Sequence, residues 1–179
     1  MLKNTDKVYG AISRLLHWGM AIAVLGMIVV GFIMANMPNS EQKFQLINLH
    51  KATGVLILLF VLLRLIWKLI NITVNIDIPT WHRLAAKIGH TLLYILMFVM
   101  PISGIVMSIV GGRNINIYGI YIIEAVTKNE QIATAAWIIH SYMAWAFASI
   151  ISLHILAALY HHFIRKDNVL KSMIGSIGS

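Results

Sequence analysis

The side chains able to do metal or redox chemistry in this 179-residue sequence are chiefly its eight histidines; there is no cysteine and there are only six acidic residues. Without cysteine, disulfides, covalent c-type haem attachment, thiolate-held iron–sulfur clusters and thiol catalysis are all excluded. So few carboxylates argue against an oxygen-rich metal site. Five histidines, His17, His50, His90, His140 and His154, fall in or at the ends of long apolar stretches. An imidazole inside a membrane span is rare enough to be a functional hypothesis by default. Any one alone is satisfied by bonding a neighbouring helix, so the weight rests on their joint arrangement.

His140 and His154 lie 14 residues apart in one charge-free stretch. On a helix that is ~21 Å of rise and ~3.9 turns, which returns both to nearly the same face. A single metal ion cannot reach both, so the spacing suits two separate cofactors, one near each membrane surface. Each then needs a second ligand from another helix at similar depth, as bundles supply between inward-facing side chains. His50 opens the second span on the outer side and matches His140. His17 opens the first span on the cytoplasmic side, toward which the chain runs at His154. Depth alone leaves alternatives open: His161 shares the face of His154 and competes with it, and His90 competes with His17. A solvated helix end accounts equally well for His161 and His162. An iron porphyrin held by two imidazoles keeps no free axial position and moves single electrons. Gly54, one turn from His50, and Ala144, one turn from His140, leave room for a flat macrocycle.

The elements that must position these residues are membrane helices. Hydrophobic residues make up 59% and charged residues 11% of the chain, against roughly 45–50% and about 25% in ordinary globular proteins. Mean hydropathy is +0.81. Leu15–Ser40, Ile88–Gly112 and Gln131–Ile164 carry no Lys, Arg, Asp or Glu for 26, 25 and 34 residues, longer than the roughly 20 a spanning helix needs. A fourth run, Ala52–Leu63, extends to a full span with Lys51 and Arg64 snorkelling near its ends. The expectation is one membrane domain over residues 1–179, an all-α four-helix bundle with spans at about 12–37, 46–70, 87–111 and 133–164. The first apolar run exceeds the 7–15 residues of a signal-peptide core and has no A-x-A-like end, so it reads as a retained span.

Ten cations, Lys3, Lys7, Arg14, Arg64, Lys68, Arg83, Lys87, Arg165, Lys166 and Lys171, share one side, against Lys43, Lys51, Arg113 and Lys128 on the other. The excess places both termini in the cytoplasm, and it explains the net charge of +8 without nucleic acid. Trp18, Trp67, Trp81 and Tyr118 lie near span ends, as interfacial anchors. The loop Gly111–Glu130 has room for a short helix or a lid, and Pro101 should kink the third span. Gly111-Gly112-Arg113 lacks the spacing of a phosphate loop, and the ten methionines are scattered as apolar filler. The four outer cations could steer a small anion, although ordinary loop charge explains them.

Several stretches resemble the bacterial cytochrome b561 family: Ser13-Arg14-Leu15-Leu16-His17-Trp18, Asn48-Leu49-His50-Lys51-Ala52-Thr53-Gly54, Lys87-Ile88-Gly89-His90 and Pro101-Ile102-Ser103-Gly104. His140 with the preceding Trp137, and the stretch from His154 to Leu170 with His161-His162-Phe163-Ile164-Arg165-Lys166-Asp167-Asn168, continue the likeness over nearly the whole chain. The resemblance implies two b-type haems held between the helices, with His17 paired to His154 on the cytoplasmic side and His50 to His140 outside. It leaves His90, His161 and His162 near the inner haem as candidates on the quinone side. It further implies a multi-pass protein of the bacterial inner membrane that passes electrons from an outer donor, superoxide above all, to membrane ubiquinone. The alternative in the same family is a cytochrome b subunit or relay fed by a partner dehydrogenase or hydrogenase. A histidine-lined metal or proton transporter fits less well, since zinc prefers a tight tetrahedral cluster.

Overall fold

The computed structural model describes residues 1–175. Four long helices, α1 (Ala11–Asn36), α2 (Glu41–Leu69), α3 (Thr80–Val110) and α4 (Glu130–Tyr160), are each long and apolar enough to cross a membrane. A two-stranded antiparallel hairpin, β1 (Ile115–Ile117) and β2 (Tyr121–Ile123), lies between α3 and α4. One π turn, His161–Arg165, ends α4, and a short helix α5 (Val169–Ile174) follows. The expected membrane bundle is therefore the fold, with Leu15, Ile22, Val29 and Ile33 of α1 among the apolar side chains left on its outer surface.

The helices outrun the apolar spans wherever the backbone finds partners. The oxygen of Ser40 accepts the Lys43 N–H at 3.2 Å, so α2 begins at Glu41, ahead of the apolar stretch near 46. α3 begins directly after Pro79 and runs through Thr80–Lys87, whose His82, Arg83 and Lys87 lower hydropathy without breaking the helix. It continues unbroken through the buried Pro101. α1 has no capping side chain. Its first N–H groups are taken by the chain's own start: Ala11 donates to the Met1 carbonyl at 3.0 Å and Ile12 to that of Leu2 at 3.4 Å. A Cβ at Gly10 would lie 2.3 Å from the Leu2 oxygen, so only glycine permits this return.

Both ends of the described chain meet at one end of the bundle. Tyr9 N–H donates to the Ser172 carbonyl, Arg14 to that of Ile174 at 3.0 Å and the Trp18 indole to that of Met173 at 3.2 Å. The 70–79 connection joins them, with Asn75 N–H donating to the Asp6 carbonyl at 2.8 Å. Burial raises the pKa of the Tyr9 phenol, opposed by the nearby Arg64, so it stays neutral and able to donate.

At the opposite end, the connection expected to hold a short helix or a lid forms the hairpin. Ile115-Asn116-Ile117 and Tyr121-Ile122-Ile123 are β-branched and aromatic enough to pair as strands. Tyr118 (φ 52°) and Gly119 (φ 75°) both take positive φ, and Ile120 N–H closes the turn on the Ile117 carbonyl at 2.9 Å. Two contacts clamp the hairpin region to α2: Lys51 donates to the Asn114 carbonyl at 2.8 Å, and the Thr53 and Tyr118 hydroxyls lie 2.7 Å apart. Ile115 is fully buried beneath it.

Among the helices, the most extensive backbone packing is of α3 with α4, α1 with α2, and α2 with α3. Met20 and Val24 of α1, Ile57 and Val61 of α2, Leu96 and Met97 of α3 and Phe147 of α4 form one buried cluster at mid-depth. α4 stands farther from α1 and α2, and the histidines face one another across that wider gap.

Candidate functional site

The structure assembles the histidines of the spans in two groups, one on each side of the mid-depth cluster. On the hairpin side, His50 of α2 faces His140 of α4, with ring centroids 6.3 Å apart and planes at 79°. On the side of the chain ends, His17 of α1 faces His154 of α4, again at 6.3 Å, with planes at 57°. All four rings are half-buried. Phe147, in the core cluster, sits midway along α4 between the two groups.

The common spacing has a chemical meaning. A metal bound at about 2.0–2.1 Å by each of two opposed imidazoles, whose ligating nitrogens lie about 1.1 Å from their ring centres, sets the centroids about 6.3 Å apart. Both pairs have that separation, so their spacing fits an iron held between two imidazoles. His90 also approaches His154, at 5.5 Å, which is short for the same arrangement, and it is exposed. Among the described residues no cluster of three or more His, Asp or Glu side chains could hold a bare metal ion.

The surroundings of His140 fix its tautomer. Ser103 Oγ donates to the Met100 carbonyl at 2.9 Å, which leaves its oxygen to accept. His140 Nδ1 lies 3.0 Å from that carbonyl and 3.1 Å from Ser103 Oγ. Two acceptors demand a donor, so the proton sits on Nδ1 and Nε2 is bare, the form in which a histidine binds metal. Gly104 makes the seat possible: a Cβ there would lie 3.2 Å from His140 Cε1. The segment Pro101-Ile102-Ser103-Gly104 thus builds the pocket wall behind His140. His50 has no such orienting partner, and its Nδ1 is buried without a hydrogen bond among the described residues. Gly31 of α1 lies beside it, where a Cβ would sit 3.6 Å from His50 Cε1.

His17 is held differently. Arg64 Nη2 lies 2.9 Å from His17 Nδ1. A guanidinium can only donate, so Nδ1 accepts and the neutral ring carries its proton on Nε2; for Nε2 to hold a metal, as in His140, the Arg64 contact must give way and that proton must leave Nε2. Arg64 also lies over the Tyr94 ring at 5.6 Å, with Lys68 at 4.6 Å, which concentrates positive charge beside this pair.

His161 and His162, read as possible members of a solvated helix end, are enclosed. His161 is buried, and His162 has a buried Nδ1 with no partner among the described residues. His161 Nδ1 contacts Asp167 Oδ2 at 2.5 Å, and its Nε2 lies 3.0 Å from His82 Nδ1. His82 was not a sequence candidate, because it lies ahead of the charge-free stretch. The signal that finds it is the extension of α3 to Thr80, which brings it level with the end of α4.

On the hairpin side, three of the four cations are engaged locally. Lys43 donates to the Met37 carbonyl, Lys51 to that of Asn114, and Lys128 pairs with Glu130 at 2.6 Å. Arg113 lines a shallow depression with Met107, Ala133, Thr134 and Trp137, one helical turn from His140.

The family described as prokaryotic cytochrome b561 matches residues 8–176. Cytochrome b561 homolog 2 of Escherichia coli (strain K12) is 34% identical over 181 aligned positions, covering 98% of this chain and 96% of the relative. Cytochrome b561 homolog 1 of the same organism is 34% identical over 96 positions, 54% of each chain. A Yersinia pestis protein named "Probable superoxide oxidase CybB" is 27% identical over 175 positions, covering 94% of this chain and 96% of that protein. With its four membrane-length helices and its two facing imidazole pairs, the chain belongs to the prokaryotic cytochrome b561 family of haem b electron-transfer proteins of bacterial membranes.

Proposed function

We propose that this protein carries two b haems and oxidises superoxide on one side of the inner membrane while reducing ubiquinone toward the other. His50 and His140 would hold the outer haem, and His17 and His154 the inner one. Both termini lie in the cytoplasm in this reading, in keeping with the ten cations at their end of the bundle. The observation that carries it is the repeated 6.3 Å spacing of two imidazole pairs on opposite sides of the core cluster. Held by these imidazoles, haem b would supply one-electron transfer.

The protein's own residues do the rest. Ser103 and the Met100 carbonyl keep the His140 proton on Nδ1. Arg113, in its depression beside Trp137, offers an anion a positive approach to the outer pair. Arg64 and Lys68 hold positive charge beside the inner pair. The overall balance is two superoxide anions, one quinone and two protons in, and two oxygens and one quinol out. The name of the Yersinia relative supports superoxide as the donor.

The test is haem content and reduction in the purified protein. Two haems per chain are expected, falling to one in His50→Ala or His140→Ala and in His17→Ala or His154→Ala, while His90→Ala keeps two. Superoxide should then reduce the haems, and a ubiquinone analogue should reoxidise them with quinol formed. Two haems that ignore superoxide would point to a relay fed by a dehydrogenase or hydrogenase partner. One haem in the wild type would overturn the paired assignment.

A further inference from the structure

Asp167, His161 and His82 form a continuous hydrogen-bonded row at the end of the bundle that carries the termini. The row joins three separate elements. His82 is the third residue of α3, His161 begins the π turn after α4, and Asp167 lies in the short link to α5. The π turn makes the contact possible: Lys166 takes the left-handed conformation (φ 56°), and Asp167 N–H donates back to the His161 carbonyl at 3.2 Å. A π turn of this kind often marks a functional position. Asp167 Oδ1 meanwhile accepts the Val169 N–H at 3.1 Å, which steadies the carboxylate with Oδ2 turned to His161.

The polarity of the row follows from its members. A carboxylate accepts, so His161 Nδ1 donates to Asp167, and the bare Nε2 of neutral His161 must accept from His82 Nδ1–H. His82 then has Nε2 unprotonated. One proton added to the row changes this. A proton taken up at the bare His82 Nε2 lets the Nδ1–H pass to His161 Nε2, so that His161 becomes an imidazolium held by Asp167 and donates to His82 Nδ1. The row therefore converts a proton stored at His161 into a proton presented by His82. After His82 gives it up, Nδ1 recovers its proton from His161 Nε2 and the row returns to its first state. One proton enters and one leaves at His82 Nε2, and the N–H between the two rings shifts to His161 and returns.

The two ends of the row differ in surroundings. The side chain of Asp167 is 18% exposed at the polar end of the chain, beside the exposed Lys166. The His82 ring is flanked by Trp81, at 3.7 Å between centroids, and lies parallel to Tyr160 at 6.4 Å and 16°. Both aromatics are exposed on the apolar flank of the bundle. A flat ring entering from the lipid can lie against them. Arg165 is the other charged group acting on His82 beside Asp167 and His161, and the neighbouring Arg83 is turned to the Ile78 carbonyl.

We propose that Asp167, His161 and His82 form a proton relay that delivers protons to a quinone lying against Trp81 and Tyr160. This rests on the quinone-reducing reading above, in which the quinone takes two electrons and two protons per turnover. His82 is the donor that would touch the quinone oxygen, and His161 and Asp167 are positioning residues behind it.

The experiment uses the purified holoprotein with superoxide and a soluble ubiquinone analogue. In His82→Ala, quinol formation should fall about 100-fold, as for loss of a positioned general acid, with the haem-to-protein ratio unchanged. Added imidazole should restore it in proportion to concentration. Asp167→Asn should fall less and shift the pH profile. Independently of turnover, nitrogen NMR of labelled histidines should show His82 passing from the Nδ1–H to the Nε2–H tautomer as the row takes up a proton, with no such change in Asp167→Asn. A His82 that keeps one tautomer, or a loss of rate that imidazole does not restore, would make the row a structural clasp and overturn the relay. A wild-type protein that forms no quinol would instead remove the reading on which the relay stands, whatever the NMR shows.

Discussion

His140 and His17 show how single residues decide what an imidazole can do. His140 has its proton fixed on Nδ1 by Ser103 and the Met100 carbonyl, whereas Arg64 forces the opposite tautomer on His17. Ser103→Ala leaves only the carbonyl to orient His140, and retention of the outer haem should weaken about 10-fold, read by transfer to a haem scavenger. Gly104→Ala should do more, because its methyl would lie 3.2 Å from the ring. Arg64 places a positive charge beside the inner pair, which favours the form carrying the extra electron. Arg64→Gln should therefore lower the inner midpoint potential by on the order of 50 mV, measured by redox titration. The candidate ligands were legible in the sequence only in part: spacing along a helix and depth in a membrane left His161 competing with His154 and His90 with His17, and the family resemblance chose among them. His82 was not legible, since its importance comes from a contact 79 residues away. Nor was Asp167, which reaches His161 only through a π turn that no periodicity announces.

At the scale of elements, hydropathy marks where lipid begins and ends, and hydrogen bonding marks where a helix does. The four apolar stretches therefore announced four helices, while α2 and α3 start earlier, at a serine cap and after a proline. The hairpin was the least legible element. Its turn puts Tyr118 at positive φ, where asparagine or glycine is usual, and what holds it there is the Thr53 hydroxyl on a different helix. Gly119 carries the second positive φ, and a Cβ there would meet nothing within 4 Å. Gly119→Ala thus isolates backbone strain, and it should cost about 1–2 kcal/mol, seen as a lower midpoint of thermal unfolding and faster proteolysis between β1 and β2.

At the scale of the molecule, the chain ends and the 70–79 connection gather at one end of the bundle, and the clamped hairpin occupies the other. In the proposed reading, the unequal distribution of Lys and Arg places the first end in the cytoplasm. The absence of native cysteine makes this easy to check. In intact cells, a membrane-impermeant maleimide should label Lys128→Cys and spare Lys171→Cys until the membrane is opened. The two histidine pairs also share one feature: each takes one imidazole from α4, and the partners come from α1 and α2. α4 is the last of the long helices to leave the ribosome. A chain interrupted before Glu130 would hold three membrane helices and not one complete pair, so under the proposed assignment neither haem site can form on an unfinished polypeptide. Synthesis thereby orders assembly: both facing pairs, and Phe147 of the core cluster, are complete only once the final span is in place.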